Sequence, residues 1–319
     1  MSNILYKSTL APRQVIEPYK YFAEDYEYIY KDNESITHYD EKNRVIYYNK
    51  NIINPYQASF HGTDIKFDDI FKKTVLNDCD DIDVDILKLN NLSNNKPIII
   101  GGCGRSGTTL LLSILAAHSN IFGVDTELYS FYPVFRLKKL INFLNDNQFS
   151  KDKTWCEKTP KNIINFNKIY EKFEGNINLI HIVRDGRDVI TSEHPYHPNQ
   201  YWVTKERWVL DVKAGLDCKN CMLVKYEDLV SNPEQTLREI CDYCKLEFEP
   251  QLLNFQNFTN VTKNVAWENN KAVKIHTNQI KKWKKDKYWP IIRDFVNTDE
   301  CVSLLKTLDY ERFSFNNYN

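Results

Sequence analysis

An α/β fold with a central, mostly parallel sheet flanked by helices is what this sequence predicts, and three observations carry the prediction. From residue 96 onward, apolar β-branched runs alternate with helix-patterned stretches, as in parallel strands joined by crossover helices. One such run, Ile98–Ile100, enters a turn that concentrates four of the chain's nine glycines, Gly101, Gly102, Gly104 and Gly107. Polar residues with chemistry to offer then recur just after strand-like runs, at the carboxyl edge where open α/β sheets bind ligands.

The 319 residues, 42% hydrophobic and 27% charged, suffice for one large α/β domain with a sizeable core. The formal net charge of −1 gives no global attraction to nucleic acid or a membrane surface, so any anion site must be local. Met1–Ala11 lacks the apolar stretch of a secretory leader, and no run of about eighteen apolar residues occurs, so a cytoplasmic protein without a membrane segment is expected. Without a leader, the eight cysteines do not suggest a disulfide framework. Cys218/Cys221 and Cys241/Cys244 have spacing compatible with zinc. Against zinc, Cys241 and Cys244 share helical spacing with Leu237 and Ile240, so buried thiols are the expectation.

Residues 1–95 read as an N-terminal extension, rich in Tyr, Asp, Asn and Lys. Glu34–Tyr39 and Arg44–Tyr48 flank a polar turn and predict a β-hairpin, while 67–76 and 84–92 have helical spacing. No catalytic constellation occurs there. Residues 96–319 form the main domain.

In that domain Ile98–Ile100 predicts a buried strand, and Thr108 onward a helix. Strand, glycine-rich turn and helix together aim backbone N–H groups at a phosphate-like anion, a P-loop-like arrangement. Gly102 and Gly107–Thr109 keep the Walker spacing, yet Thr108 stands where the phosphate-gripping lysine belongs. Further on, Trp155 and Cys156 end a strand, Thr159 suits an N-cap and Pro160 a first helical position. Lys158 therefore sits at a strand's carboxyl end beside a helix N-terminus, an electrostatically poor place for an idle cation. Strand 176–183 delivers Arg184 to the same edge, with Ser192 eight residues on; guanidinium and hydroxyl both donate to phosphate oxygens. Helix 204–215 follows. Strand 221–226 ends at Tyr226, whose ring can lie against a flat base, and Pro233 opens helix 234–246. The basic run Lys281–Lys285 reads as a solvated face, with Trp283 as its apolar anchor, before helices 291–296 and 301–308.

In this order and spacing the anchors resemble the sulfotransferases that use 3′-phosphoadenosine 5′-phosphosulfate (PAPS), in their carbohydrate and protein-tyrosine branch, over roughly residues 96–312. G-R-S-G-T-T-L-L at Gly104–Leu111 resembles the family's 5′-phosphosulfate loop, and V-R-D-G-R-D at Val183–Asp188 with Ser192 its 3′-phosphate motif. E-K-T-P at Glu157–Pro160, K-Y-E-D-L at Lys225–Leu229 and L-L-K-T-L-D-Y at Leu304–Tyr310 resemble common companions. The resemblance implies sulfuryl transfer from PAPS to an acceptor hydroxyl of a sugar, another biological alcohol or protein tyrosine, with 3′,5′-ADP as product and no metal. Arg105, Ser106, Gly107, Thr108, Thr109, Arg184, Ser192 and Tyr226 would hold the nucleotide, the amides of 106–109 cradling the 5′-phosphate. Lys158 would stabilise the bridging oxygen. The implied base is an acidic residue in Phe122–Phe131: counting from Arg105 lands on Thr126, between Asp125 and Glu127, and the local texture favours Glu127 over Asp125. A P-loop kinase and a non-catalytic nucleotide-binding protein are the rival readings. No triad accompanies His118, His194 or His197.

Overall fold

The computed structural model describes residues 82–132, 135–194, 197–261 and 274–310, together with four strands between Glu27 and Phe60. The chain divides into two compact units, Met1–Ile82 and Asp83–Asn319. In the first, β1 (Glu27–Tyr30), β2 (Ser35–Tyr39), β3 (Val45–Asn49) and β4 (Ala58–Phe60) form an antiparallel sheet in chain order. The β2–β3 pair is the hairpin read from the sequence, in register Ser35↔Asn49. The helix expected over 67–76 lies outside the described residues.

The helix α1 (Ile82–Leu92), which belongs to the second unit from Asp83 on, buries Ile86 and Leu89, and its Asp83 pairs with Lys172 at 2.7 Å. Asn94 N donates to Lys151 O and Ser93 Oγ to Lys153 O, so 83–95 are tied to this unit rather than to the extension. Then come β5 (Ile98–Gly101), α2 (Thr108–Leu115), β6 (Ile121–Gly123), α3 (Leu137–Asp146), β7 (Thr154–Lys158), a 3₁₀ turn (Pro160–Asn165), α4 (Phe166–Lys172), β8 (Asn178–Val183) and α5 (Gly186–Ile190). A short ribbon follows, β9 (Glu193–His194) with β10 (His197–Tyr201), then α6 (Lys205–Leu216), β11 (Cys221–Lys225), α7 (Tyr226–Ser231), α8 (Pro233–Cys244), a 3₁₀ segment (Pro250–Asn257), α9 (Trp289–Val296) and α10 (Asp299–Thr307).

Five strands pair in parallel in the order β11-β8-β5-β7-β6. The central strand, β5, is the Ile98–Ile100 run, and all of its residues are buried, as a strand covered on both faces requires. Period-two alternation sends Ile98, Ile100, Ile180 and Ile182 into one cluster with Leu111, Leu115, Leu237 and Ile240. Trp208, Phe295, Ile292 and Trp283 pack with Val183 and Val189 in another. Each such aliphatic side chain, fully buried, contributes about 1.5–3 kcal/mol. Cys241 and Cys244 are buried in the first cluster, and no group of three or more potential metal ligands occurs among the described residues. The carboxyl ends of β5, β7, β8 and β11 share one edge, and the chain leaves β5 and β8 on opposite sides of it. That edge is the topological switch point at which α/β sheets bind ligands.

Candidate active site

The turn after β5 is built by backbone conformations that most side chains resist. Gly107 has φ +96° and closes the turn onto α2, while Arg105 is held at φ +68°, a cost a non-glycine residue meets only when its surroundings impose it. A Cβ on Gly107 would lie 2.6 Å from Tyr226 Cδ2. Gly107→Ala is therefore expected to destabilise the protein by about 1–3 kcal/mol, read as a lowered Tm. Ser106 is fully buried, and its Oγ finds no partner among the described residues. Its N–H is turned inward to Cys103 O at 3.1 Å. The N–H groups of Gly107, Thr108 and Thr109 stand at the helix opening, where N–H groups lack an intrahelical acceptor. The Arg105 guanidinium lies 5.1 Å from the Trp202 ring centre.

At the end of β8, Arg184 is buried and donates through Nη1 to Arg105 O at 3.0 Å and through Nη2 to Gln279 O. Its guanidinium lies 4.4 Å from the centre of the Tyr226 ring. That ring therefore supports the guanidinium. Ser192 follows the short α5 and donates from Oγ to Asp188 O; Lys282 Nζ in turn donates to Ser192 Oγ at 2.8 Å. Lys282 is thus no part of a solvated face, as its basic run had suggested, but the third member of this pole. Asp188 puts it there by accepting Lys281 N–H and Trp283 N–H on its two oxygens, while Trp283 is buried under the Arg187 guanidinium. Burial foremost, then the charges of Arg184 and Arg105, push the Lys282 ammonium down to about 7, against the pull of Asp188. No local pattern could have singled Lys282 out among the four lysines of its run.

Between the two poles, Lys158 ends β7 and is 1% exposed; its Nζ donates to Glu127 Oε1. Tyr129 Oη donates to Glu127 Oε2 at 3.2 Å. Asp125 and Thr126 point to solvent. Next to this pair, Glu157 is wholly buried and accepts from Thr159 Oγ1 and Asn162 Nδ2. Burial raises its carboxyl to about 7, against those two hydrogen bonds and Lys158. Thr159 does occupy the cap position, but its hydroxyl turns to Glu157 and caps nothing.

The companion motifs earn their places by contact. Asp185 caps α5 and holds Arg187 in a two-pronged ion pair. Glu227 accepts Asp185 N–H on one oxygen and the Tyr310 hydroxyl on the other, both at 3.0 Å, joining β8, α7 and the end of α10. His118 is buried, with Nε2 2.8 Å from Glu247 O, and the side chains of His194 and His197 lie outside the described ones.

The sequence model of the sulfotransferase family matches residues 97–142 and 135–250, the span that carries the loop, Glu127, Lys158, Arg184, Ser192 and Tyr226. Protein-tyrosine sulfotransferase A of Caenorhabditis elegans is 22% identical over 267 residues, covering 67% of each chain. A Caenorhabditis briggsae protein that bears a protein-tyrosine sulfotransferase name is 25% identical over 198 residues, covering 51% of this chain and 70% of its own. Among solved structures, a sulfotransferase domain from the curacin biosynthetic pathway aligns with a TM-score of 0.47 at 20% identity, covering 69% of this chain and 99% of its own. The mouse sulfotransferase SULT7A1 complexed with PAP aligns at 0.43 and 14%, covering 69% and 92%. On the matched span and the residues it contains, this chain belongs to the sulfotransferase family and is an enzyme of sulfuryl transfer.

Proposed function

We propose that the enzyme takes its sulfuryl group from PAPS, releases 3′,5′-ADP, and delivers the group to a hydroxyl-bearing acceptor. The observation that carries this reading is the pair of anion poles on one sheet edge, joined by the 3.0 Å bond from Arg184 Nη1 to Arg105 O. A nucleotide phosphorylated at both 5′ and 3′ positions needs both poles; ATP needs only one. Ser106 Oγ and Arg184 Nε, buried and without partners among the described residues, suit the phosphate oxygens of such a ligand. Asp185, the carboxylate a kinase would offer to magnesium, is committed to Arg187.

PAPS supplies the transferable sulfuryl group when bound. Gly107, Thr108 and Thr109 would hold its 5′ end, and Arg184, Ser192 and Lys282 its 3′-phosphate. Glu127, held by Lys158 and Tyr129, would take the proton of the acceptor hydroxyl. Lys158 would donate to the oxygen on the leaving side, where negative charge grows. The acceptor favoured by the named relatives is a tyrosine hydroxyl; a sugar or another biological alcohol is the alternative. No described helix is long and apolar enough to cross a membrane. The cytoplasmic location expected from the sequence goes with this proposal and is checked by cell fractionation.

Thermal denaturation with 3′,5′-ADP, ADP and Mg-ATP tests the donor. A ligand at a hundred times its Kd adds about 2.7 kcal/mol of stability, so 3′,5′-ADP should raise Tm most. A larger rise with Mg-ATP overturns the proposal. Lys282 adds a pH signature. Its ammonium is held near 7 in the free protein, and a bound phosphate favours the charged form, so binding takes up a proton above that pH. Affinity for 3′,5′-ADP should therefore fall as pH rises from 7 to 9, and Lys282→Met should flatten that limb in titration calorimetry.

A further inference from the structure

At the amino edge of the sheet, opposite the two anion poles, a tight turn joins α6 to β11 and carries two thiols. Cys218 and Cys221 flank the exposed turn residues Lys219 and Asn220. The end residues of such a four-residue turn have Cα atoms within about 7 Å of each other, which matches the separation a disulfide spans. Both cysteines are free; Cys218 is buried under the turn and Cys221 is half-buried. Cys241 and Cys244 share the same spacing, but they are sealed in the core on α8.

Hydrogen bonds give the two thiols different characters. The Cys221 thiol proton has three acceptors in reach: Cys218 O at 3.3 Å, Gly215 O at 3.6 Å, and the Cys218 sulfur itself. That sulfur also accepts the Asn220 N–H. A sulfur that receives two donors is favoured as the thiolate. The Cys221 thiol foremost, against burial and with help from Asn220 N–H, therefore holds Cys218 below the usual thiol range. Cys221, as the donor, keeps its proton. Burial instead raises the thiols of Cys103, Cys156, Cys241, Cys244 and Cys301.

We propose that Cys218 and Cys221 form a reversible redox-modification site that takes a small peroxide as oxidant and a dithiol as reductant. The Cys218 thiolate attacks one oxygen of hydrogen peroxide; the O–O bond breaks, hydroxide leaves and Cys218 becomes a sulfenic acid. Cys221 then gives up its proton and attacks that sulfur. The S–O bond breaks, the Cys218–Cys221 bond forms and water departs. In sum, the two thiols lose two electrons and two protons, and the peroxide becomes two waters. The recessed Cys218 suits a small oxidant, and the more open Cys221 gives the reductant its point of attack. A dithiol bonds to Cys221 and expels Cys218, the better leaving group because its thiolate is the stabilised one. The reductant's second thiol then frees Cys221 and closes the reductant's own disulfide.

Hydrogen peroxide added to the reduced protein, followed by maleimide labelling of the remaining thiols in denaturant and peptide mass spectrometry, tests it without any nucleotide. Labelling of Cys218 and Cys221 should be lost together, about tenfold or more faster than that of Cys103, Cys156, Cys241, Cys244 and Cys301. The peptide that holds the pair should be lighter by two hydrogens, and dithiothreitol should restore both labels. In Cys221→Ser, Cys218 should stop at the sulfenic acid, where dimedone traps it. In Cys218→Ser, Cys221 should keep its label. Three results overturn the proposal: loss at the pair no faster than at the buried cysteines, undiminished oxidation of Cys221 in Cys218→Ser, or a wild-type Cys218 that passes to the sulfinic acid without pairing.

Discussion

Glu127→Gln is expected to lower the rate of sulfuryl transfer by about 10²–10⁴-fold, the usual contribution of a general base. The Kd for 3′,5′-ADP should stay within about twofold. The amide keeps the shape of the carboxylate and its one oxygen can still accept from Lys158 Nζ, while its NH2 donates to Tyr129 Oη, which turns from donor to acceptor; it cannot take a proton. Asp125→Asn is the matched control. Asp125 is exposed to solvent, and its amide variant should keep its rate within about twofold. Single-turnover rates with a tyrosine peptide or a sugar acceptor, beside calorimetric binding of 3′,5′-ADP, separate chemistry from binding. A rate lost in Asp125→Asn and kept in Glu127→Gln moves the base to Asp125.

The second large effect is expected in binding. Arg184→Ala should weaken 3′,5′-ADP by about 10–150-fold, the equivalent of one charge-assisted hydrogen bond of about 1.5–3 kcal/mol. ADP, which lacks the 3′-phosphate, should lose no more than about threefold. The comparison is needed because Arg184 also has structural contacts, donating to Arg105 O and Gln279 O and lying over Tyr226. If the two nucleotides weaken equally, Arg184 serves to brace the loop and the 3′ pole is elsewhere.

Much of this enzyme was legible in its residue order. Ile98–Ile100 could only be a buried strand. The glycines after it read as a tight turn, because β-branched runs and positive-φ turns are local choices that need no distant partner. The same local logic placed Arg184 and Lys158 at strand ends, and so put both cations on one edge. The missing Walker lysine, and a second basic pole eight residues from Ser192, already pointed away from ATP.

Tertiary structure alone decided the rest. Lys282 meets Ser192 across 90 residues of chain, and only because Asp188 gathers the backbone of 281–283. Between Asp125 and Glu127, only resemblance to the family's texture favoured Glu127 in the sequence; the buried end of β7 brings Lys158 to it. Tyr226 presents its ring to Arg184 and packs closely against Gly107. Periodicity and turn chemistry reach a few residues along the chain. An ion pair, a ring face or a shared carboxylate is chosen by which elements the sheet edge brings together, and that is settled only once the strands have taken their order.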